Sequence, residues 1–389
     1  MMGWKSGWRW LTLMAAGLLV AGCQVVPKAP DVTTDPVITR PDETPVDTAL
    51  PTDGERHRIA LLVPLTGENG RVGQSIANAT TMALLDTNAS NLRITTYDTA
   101  GDARAAARQA VADGNKLILG PLLAETVPAV LAEARPARVP VISYSNDESV
   151  ASPDALVMGH LPAQSIARSI AFAKSRGAKS VAAIVPDGEY GRRAELAFTT
   201  ALRDSGLALS GIERFDRGNT SIVSASERLR QRGGFDTVLV ADGARLFIQS
   251  ANVLRPGGRG TTQLLGTELL SGEGSITQAA SARGALFAAV SDARFKRFAD
   301  SYNTRFGSQP FRIATLGYDS VLLALRVARD WKIGSSFPTG KLFADDGFLG
   351  LDGAFRFKPN GVVDRAMEVR EVRSGEVVIL DPAPAKFVE

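Results

Sequence analysis

Arg58-Ile59-Ala60-Leu61-Leu62-Val63-Pro64-Leu65-Thr66-Gly67 is the stretch of this 389-residue chain on which the rest of the reading turns. Ile59 to Val63 form a short apolar run, closed by Pro64 and Gly67. That is the pattern of a strand buried on both faces of a parallel sheet. Downstream, Gly73 to Asp86 carries Ile76, Ala79, Ala83 and Leu84 at the spacing of one helical face. Strand, tight loop, helix: the unit points to an α/β fold.

Working outward, the unit repeats. Leu92–Tyr97, Lys116–Leu119, Val139–Ser143 and Ala155–Met158 read as strands, with helices over Ala103–Ala112 and Glu125–Ala134 between them. A second series follows from Ala163–Ser175 through Val181–Val185, Arg192–Ser205, Leu207–Phe215, Ile222–Gln231, Thr237–Ala241, Arg245–Leu254, Gln263–Gly266 and Leu286–Val290. Strands alternating with helices call for doubly wound parallel sheets. Beyond Asp292 the rhythm changes to two successive helices, Phe295–Phe306 and Ala314–Trp331. Short strands over Phe348–Phe357, Ala366–Val372 and Val377–Leu380 end the pattern. A chain that returns helices to its first half and then adds strands to its second suits two lobes joined by a hinge. The expected boundaries are about 57–161 and 291–340 for lobe 1, and about 162–290 and 341–382 for lobe 2, with a tail at 383–389. No repeat of 20–50 residues is visible, which removes a solenoid.

These strings carry a resemblance. Arg58 to Gly67 with Gly73 opening a helix, Leu119-Gly120-Pro121-Leu122, Val139-Pro140-Val141-Ile142-Ser143, Val185 to Gly191 and Gly317-Tyr318-Asp319-Ser320 resemble, in order, the signposts of type I periplasmic binding proteins. Within that superfamily, Gly120-Pro121-Leu122-Leu123-Ala124-Glu125-Thr126-Val127 together with the N-terminus resembles penicillin-binding-protein activator lipoproteins of the LpoA type. The resemblance implies an outer-membrane lipoprotein, on its periplasmic face, that stimulates a peptidoglycan synthase by contact and catalyses nothing. Where longer relatives carry an N-terminal helical-repeat domain, this chain has a tether.

The N-terminus reads as an address. Lys5 and Arg9 precede an apolar run from Leu11 to Val20, and small Ala21 and Gly22 precede Cys23. That is the order of a secretory signal over residues 1–22. The run is about half of the roughly 20 residues a spanning helix needs. Val20-Ala21-Gly22-Cys23 resembles a bacterial lipobox, which implies lipidation of Cys23 and a lipid anchor in the membrane. By the same resemblance, Gln24 favours the outer membrane. Residues 23–56, with Pro27, Pro30, Pro36, Pro41, Pro45 and Pro51, lack apolar periodicity and read as a disordered or polyproline-like tether.

Loops at the carboxyl ends of parallel strands line a cleft where ligands meet helix N-termini. Thr66, Ser143, Ser145, Asn146, Asp187, Tyr190, Asp242 and Glu268 are the candidate cleft residues. Each reads equally as a loop-shaping or helix-capping group. The resemblance places an aromatic near Tyr190 and an acid for a ligand amine near Glu268. It also puts Ser or Thr where this chain has Ala124-Glu125, so the usual carboxylate anchor of an amino-acid receptor is missing. Glu125 would repel a carboxylate there or cap its own helix. A small-molecule ligand in the cleft, as in the solute receptor of an ABC transporter, is therefore the second reading.

Catalysis finds no foothold. His57 and His160 are the two histidines, and Cys23 is the single cysteine, so a zinc site and an internal disulfide have no ligands or partners to draw on. Gly334 to Lys341 has one residue too many for a phosphate loop, and Leu342 stands where a hydroxyl should. Asp345-Asp346 reads as a solvated turn. Removing Lys5 and Arg9 with the leader takes the formal charge from +3 to +1, with no basic stripe for nucleic acid. No cofactor and no metal are expected.

Overall fold

The computed structural model of the chain describes residues 53–384 and Phe387. The signal segment, Cys23, residues 23–52 of the tether and most of the C-terminal tail lie outside the described residues. Strand β1 (His57–Val63) is buried from Ile59 to Val63, as its apolar run requires. Pro64 ends it, and helix α1 (Gly70–Asp86) turns Ile76, Ala79, Met82 and Ala83 inward. Gly73 permits that close turn, because a Cβ there would stand 1.7 Å from the Pro64 carbonyl oxygen.

The first sheet continues through β2 (Leu92–Asp98), α2 (Ala103–Ala112), β3 (Leu117–Leu119), α3 (Val127–Ala134), β4 (Val141–Ser143) and β5 (Ala155–Val157). Asp102 caps α2 by accepting from the Arg104 and Ala105 amides. The strand order is β2-β1-β3-β4-β5, parallel throughout, with Ile59 level with Ile94 on one side and Leu117 on the other.

Helix α4 (Pro162–Ser175) leads into β6 (Ser180–Pro186), α5 (Glu189–Ser205), β7 (Ala208–Phe215), α6 (Ser221–Arg232), β8 (Thr237–Val240), α7 (Ala244–Leu254), β9 (Gln263–Leu265) and β10 (Leu286–Val290). Its strands run β7-β6-β8-β9-β10, the first lobe's order again. The opening device recurs too: a Cβ on Gly191 of α5 would stand 1.6 Å from the Pro186 oxygen. In each lobe the first strand thus meets a proline at its end and is followed by a helix whose glycine sits on that proline's carbonyl.

Helices α8 (Phe295–Phe306) and α9 (Thr315–Ala328) return to lobe 1, as expected. Phe298 and Tyr302 pack on Ala79 and Met82, and Gly317 lies against the Ile76 carbonyl. The next segment corrects the expected boundary. Strands β11 (Phe348–Gly350), β12 (Gly353–Phe357) and β13 (Val363–Arg365) form their own antiparallel sheet. Phe348, Phe355, Phe357 and Val363 are buried in the same core as Ile59, Leu61 and Leu316 of lobe 1. Residues 341–365 therefore belong with lobe 1. The reason is aromatic packing: Phe348 stacks on Phe355 at 5.5 Å, and both close the flank of α9. Only β14 (Met367–Val372) and β15 (Val377–Asp381) join the second sheet, antiparallel beyond β10.

The chain consequently crosses between lobes three times, at residues 158–161, 291–294 and 365–366.

Candidate cleft and hinge site

The carboxyl ends of both sheets face the seam between lobes, and the structure assigns the eight nominated residues unequal parts. Thr66 is exposed, and its hydroxyl donates to Asp98 Oδ2 at 3.2 Å. Asp98 also accepts from the Leu65 and Ala100 amides, which hold its carboxyl below the ordinary range. Ser143 donates to the Pro121 carbonyl at 2.9 Å and accepts from the Ser145 amide, while Ser145 accepts from the Asp147 amide. These two hydroxyls shape the loop. Asp187 is exposed at the loop before α5, where its amide donates to the Phe215 carbonyl. Glu125 is exposed in a short 3-10 turn and makes no side-chain cap.

Tyr190, Asp242 and Glu268 do converge. The Tyr190 hydroxyl lies 2.9 Å from Thr267 Oγ1 and donates to Glu268 Oε1 at 3.0 Å. Asp242 accepts from Arg217 Nε at 2.7 Å, and the Arg217 guanidinium sits 5.3 Å from the Tyr190 ring centre. Burial pushes the Glu268 carboxyl up to about 7, against the Tyr190, Ser165 and Thr267 hydroxyls that draw it down. Its Oε2 is shielded from solvent and has no hydrogen-bond partner.

Asn146 carries a bridge that the sequence did not disclose. Arg193, on α5 of lobe 2, donates to Asn146 Oδ1 and Asp147 Oδ2 of lobe 1, each at 3.1 Å. Burial would raise the Asp147 carboxyl, but Ser149 and Arg193 outweigh it and hold it below its usual range. A groove of about 680 Å³ runs beside this bridge, between the loop at 146–149 and the Leu196 side of α5.

A second, deeper set gathers at the crossings. His160 Nε2, on the first crossing, lies 2.8 Å from Asp352 Oδ2 in the turn between β11 and β12. Arg312 donates to Asp352 Oδ1 at 2.7 Å and to Asp292 Oδ1, on the second crossing, at 3.2 Å. Thr315 donates to Asp352 Oδ2 at 2.9 Å. Arg370 of lobe 2 reaches Asp292 Oδ2 as well, and binds Glu368 Oε1 at 2.7 Å. Arg365, on the third crossing, donates to the Met158 carbonyl on the first at 2.5 Å. Burial alone would raise Asp352, yet Arg312 and His160 hold it far below the carboxylate range. Asp319, beside it and equally buried, is pushed up by burial and then by the Asp352 charge. Burial keeps His160 below its ordinary value despite Asp352. His160 is thus a structural hinge residue, although its acid partner lies 192 positions away.

This architecture is matched by a family. The model of the periplasmic binding protein family covers residues 57–376. The chain belongs to that family. Its fold is similar to that of a putative branched-chain amino acid ABC transporter protein from Rhodospirillum rubrum, at TM-score 0.69 and 21% identity, covering 84% of this chain and 100% of that one. A solute-binding protein from Rhodopseudomonas palustris BisB5, solved with 3,4-dihydroxybenzoic acid, aligns at TM-score 0.67 and 21% identity over 86% and 97% of the two chains. A branched-chain amino acid transporter's ligand-binding protein from Burkholderia xenovorans LB400 aligns at 0.68 and 16% identity, over 84% and 96%. Among curated proteins, an uncharacterized protein of Rickettsia prowazekii is 27% identical over 169 residues, which is 43% of this chain and 45% of that relative's length. In this binding-protein fold the missed residues, Arg193, Asp292, Arg312, Asp352, Arg365 and Arg370, pair with residues distant in sequence, at the crossings or between the lobes. No local motif marks them.

Proposed function

We propose that this chain is a non-catalytic cell-envelope lipoprotein, held by a lipid on Cys23 at the periplasmic face of the outer membrane, that regulates peptidoglycan synthesis by contact with a penicillin-binding protein. The observation that carries the reading is the internal engagement of the cleft. Tyr190 is bound to Thr267 and Glu268, Asp242 to Arg217, and Asn146 to Arg193. Groups that a solute receptor would offer to its ligand here hold the lobes and each other, so binding a solute would first break intramolecular bonds. A scaffold bridged in this way presents a fixed outer surface, which is what recognition by another protein uses. The lipobox-like Val20-Ala21-Gly22-Cys23 and the string Gly120 to Val127 support the finer assignment. No described helix is long and apolar enough to cross a membrane.

A solute receptor of an ABC transporter is the second reading, favoured by the partnerless Oε2 of Glu268, which an ammonium group would satisfy. One pair of experiments separates the two. Crosslinking in native envelopes should recover a penicillin-binding protein, and an amino-acid and aromatic-acid panel should leave the melting temperature unmoved. A true solute at a hundredfold excess over its dissociation constant adds about 2.7 kcal/mol of stability. Such a shift, with no synthase recovered, would replace the first reading with the second.

A further inference from the structure

Glu268 stands at the seam itself. Together with Ser271, Ala289, Val290 and Met367 of lobe 2, it faces His160 and Arg312 across a void of about 10 Å³. That is room for one water-sized group. One carboxyl oxygen is held by Tyr190 of α5, with the Thr267 and Ser165 hydroxyls close by, and Oε2 has no hydrogen-bond partner. An ionised carboxylate in that position would keep charge on an unpaired oxygen away from water and face no cation of its own, whereas a neutral carboxyl would not. The nearby charges are already committed. Arg312 serves Asp352 and Asp292, His160 serves Asp352, and Asp242, on the far side of Tyr190, serves Arg217.

We propose that Glu268 is a proton-linked latch between the lobes: the bridged arrangement holds its carboxyl protonated, and parting the seam hydrates it and releases the proton. Burial raises this group from 4.5 to about 7, and hydration returns it toward the ordinary value. A group raised in one arrangement favours that arrangement as the pH falls through the raised value. Linkage then makes the ratio of bridged to parted lobes rise about fourfold between pH 8.5 and 6.5. His160 works in the opposite sense, because burial lowers it: freed by parting, it is half protonated at its ordinary value of 6.5 and takes back up to about half of that fourfold rise at pH 6.5. Asp319 shares its environment with Asp352, Arg365 and the backbone of the β11–β12 turn, all on lobe 1 or the crossing beside it, so parting the seam leaves it buried. The inference does not depend on which partner or solute the protein serves.

The test measures interlobe distance by spin labels at Ala105→Cys and Ser224→Cys in the full chain carrying Cys23→Ser. An Arg193→Ala background removes the bridge to Asn146 and Asp147 and so raises the share of the parted arrangement. We expect the short-distance fraction to grow on going from pH 8.5 to 6.5, the rise setting in near pH 7, and Glu268→Gln to abolish that growth while leaving the short distance favoured. A protonated-carboxyl infrared component that titrates near 7 and is lost in Glu268→Gln, while the Asp319 component remains, gives a second readout. If the distances ignore pH in this window, or respond unchanged in Glu268→Gln, the latch is refuted. Should Glu268→Gln fail to fold, the distance profile with Glu268 intact decides by itself.

Discussion

Replacing Asp352 by Asn tests the hinge most directly, because it removes a charge and leaves the shape. Asp352 is 1% exposed and meets His160, Arg312 and Thr315, with the Arg365 guanidinium also in its field. Taking the carboxylate away leaves Arg312 with Asp292 alone and Arg365 without its main acid, and breaking such a buried pair costs about 3–5 kcal/mol. Asp319 limits the damage. Freed of its like-charged neighbour, its carboxyl titrates lower and supplies part of the missing charge. Asp352→Asn should therefore sit near the lower end, about 3 kcal/mol, and lower the melting temperature by roughly 4 °C for a domain of this size. Asp319→Asn combined with Asp352→Asn should lose about 5 kcal/mol, since Arg365 then has no acid and Arg312 keeps only Asp292. The sign with pH is fixed. A carboxyl held far below its unfolded value of 3.8 contributes fully above about pH 5, and the contribution fades as the pH drops below 4. Urea unfolding followed by circular dichroism at pH 7 and pH 3.5 reads both effects. A loss under about 1 kcal/mol in Asp352→Asn, or a double variant no worse than the single, would show that this charge does not hold the crossings together.

Two further outcomes are expected. Gly73→Ala should cost more than about 2 kcal/mol, because the new methyl meets the Pro64 carbonyl, while Gly101→Ala, which opens onto free space, should be close to neutral; urea midpoints of the two variants check this. Tyr190→Phe removes a donor that lowers Glu268, so the Glu268 carboxyl band should titrate higher, and an unchanged midpoint would mean that the Tyr190 hydrogen bond is not made in solution.

Local pattern made the fold legible. The Ile59–Val63 run, the Pro64–Gly73 spacing and its echo at Pro186–Gly191 express backbone sterics and burial, which act over a few residues and leave their trace in order along the chain. The cleft was legible in part. Tyr190, Asp242 and Glu268 were found because each follows a strand end, and strand ends of a doubly wound sheet converge wherever they lie in sequence. Thr66, Ser143 and Ser145 satisfied the same rule, yet their hydroxyls are turned to Asp98, the Pro121 carbonyl and the Asp147 amide. Position alone does not say which way a hydroxyl points.

What the chain's own order determined is a pair of like-built lobes with opposed strand ends, together with a scarcity of reactive groups between them. Only the tertiary structure decided that Phe348 to Val363 would seal lobe 1 and that His160, Asp292, Arg312, Asp352, Arg365 and Arg370 would meet at the crossings. Ion pairs between residues as far as 192 positions apart leave no periodicity to read. They exist because bringing the two lobes together buries the crossings, where each charge must find an opposite one within reach or give up its proton.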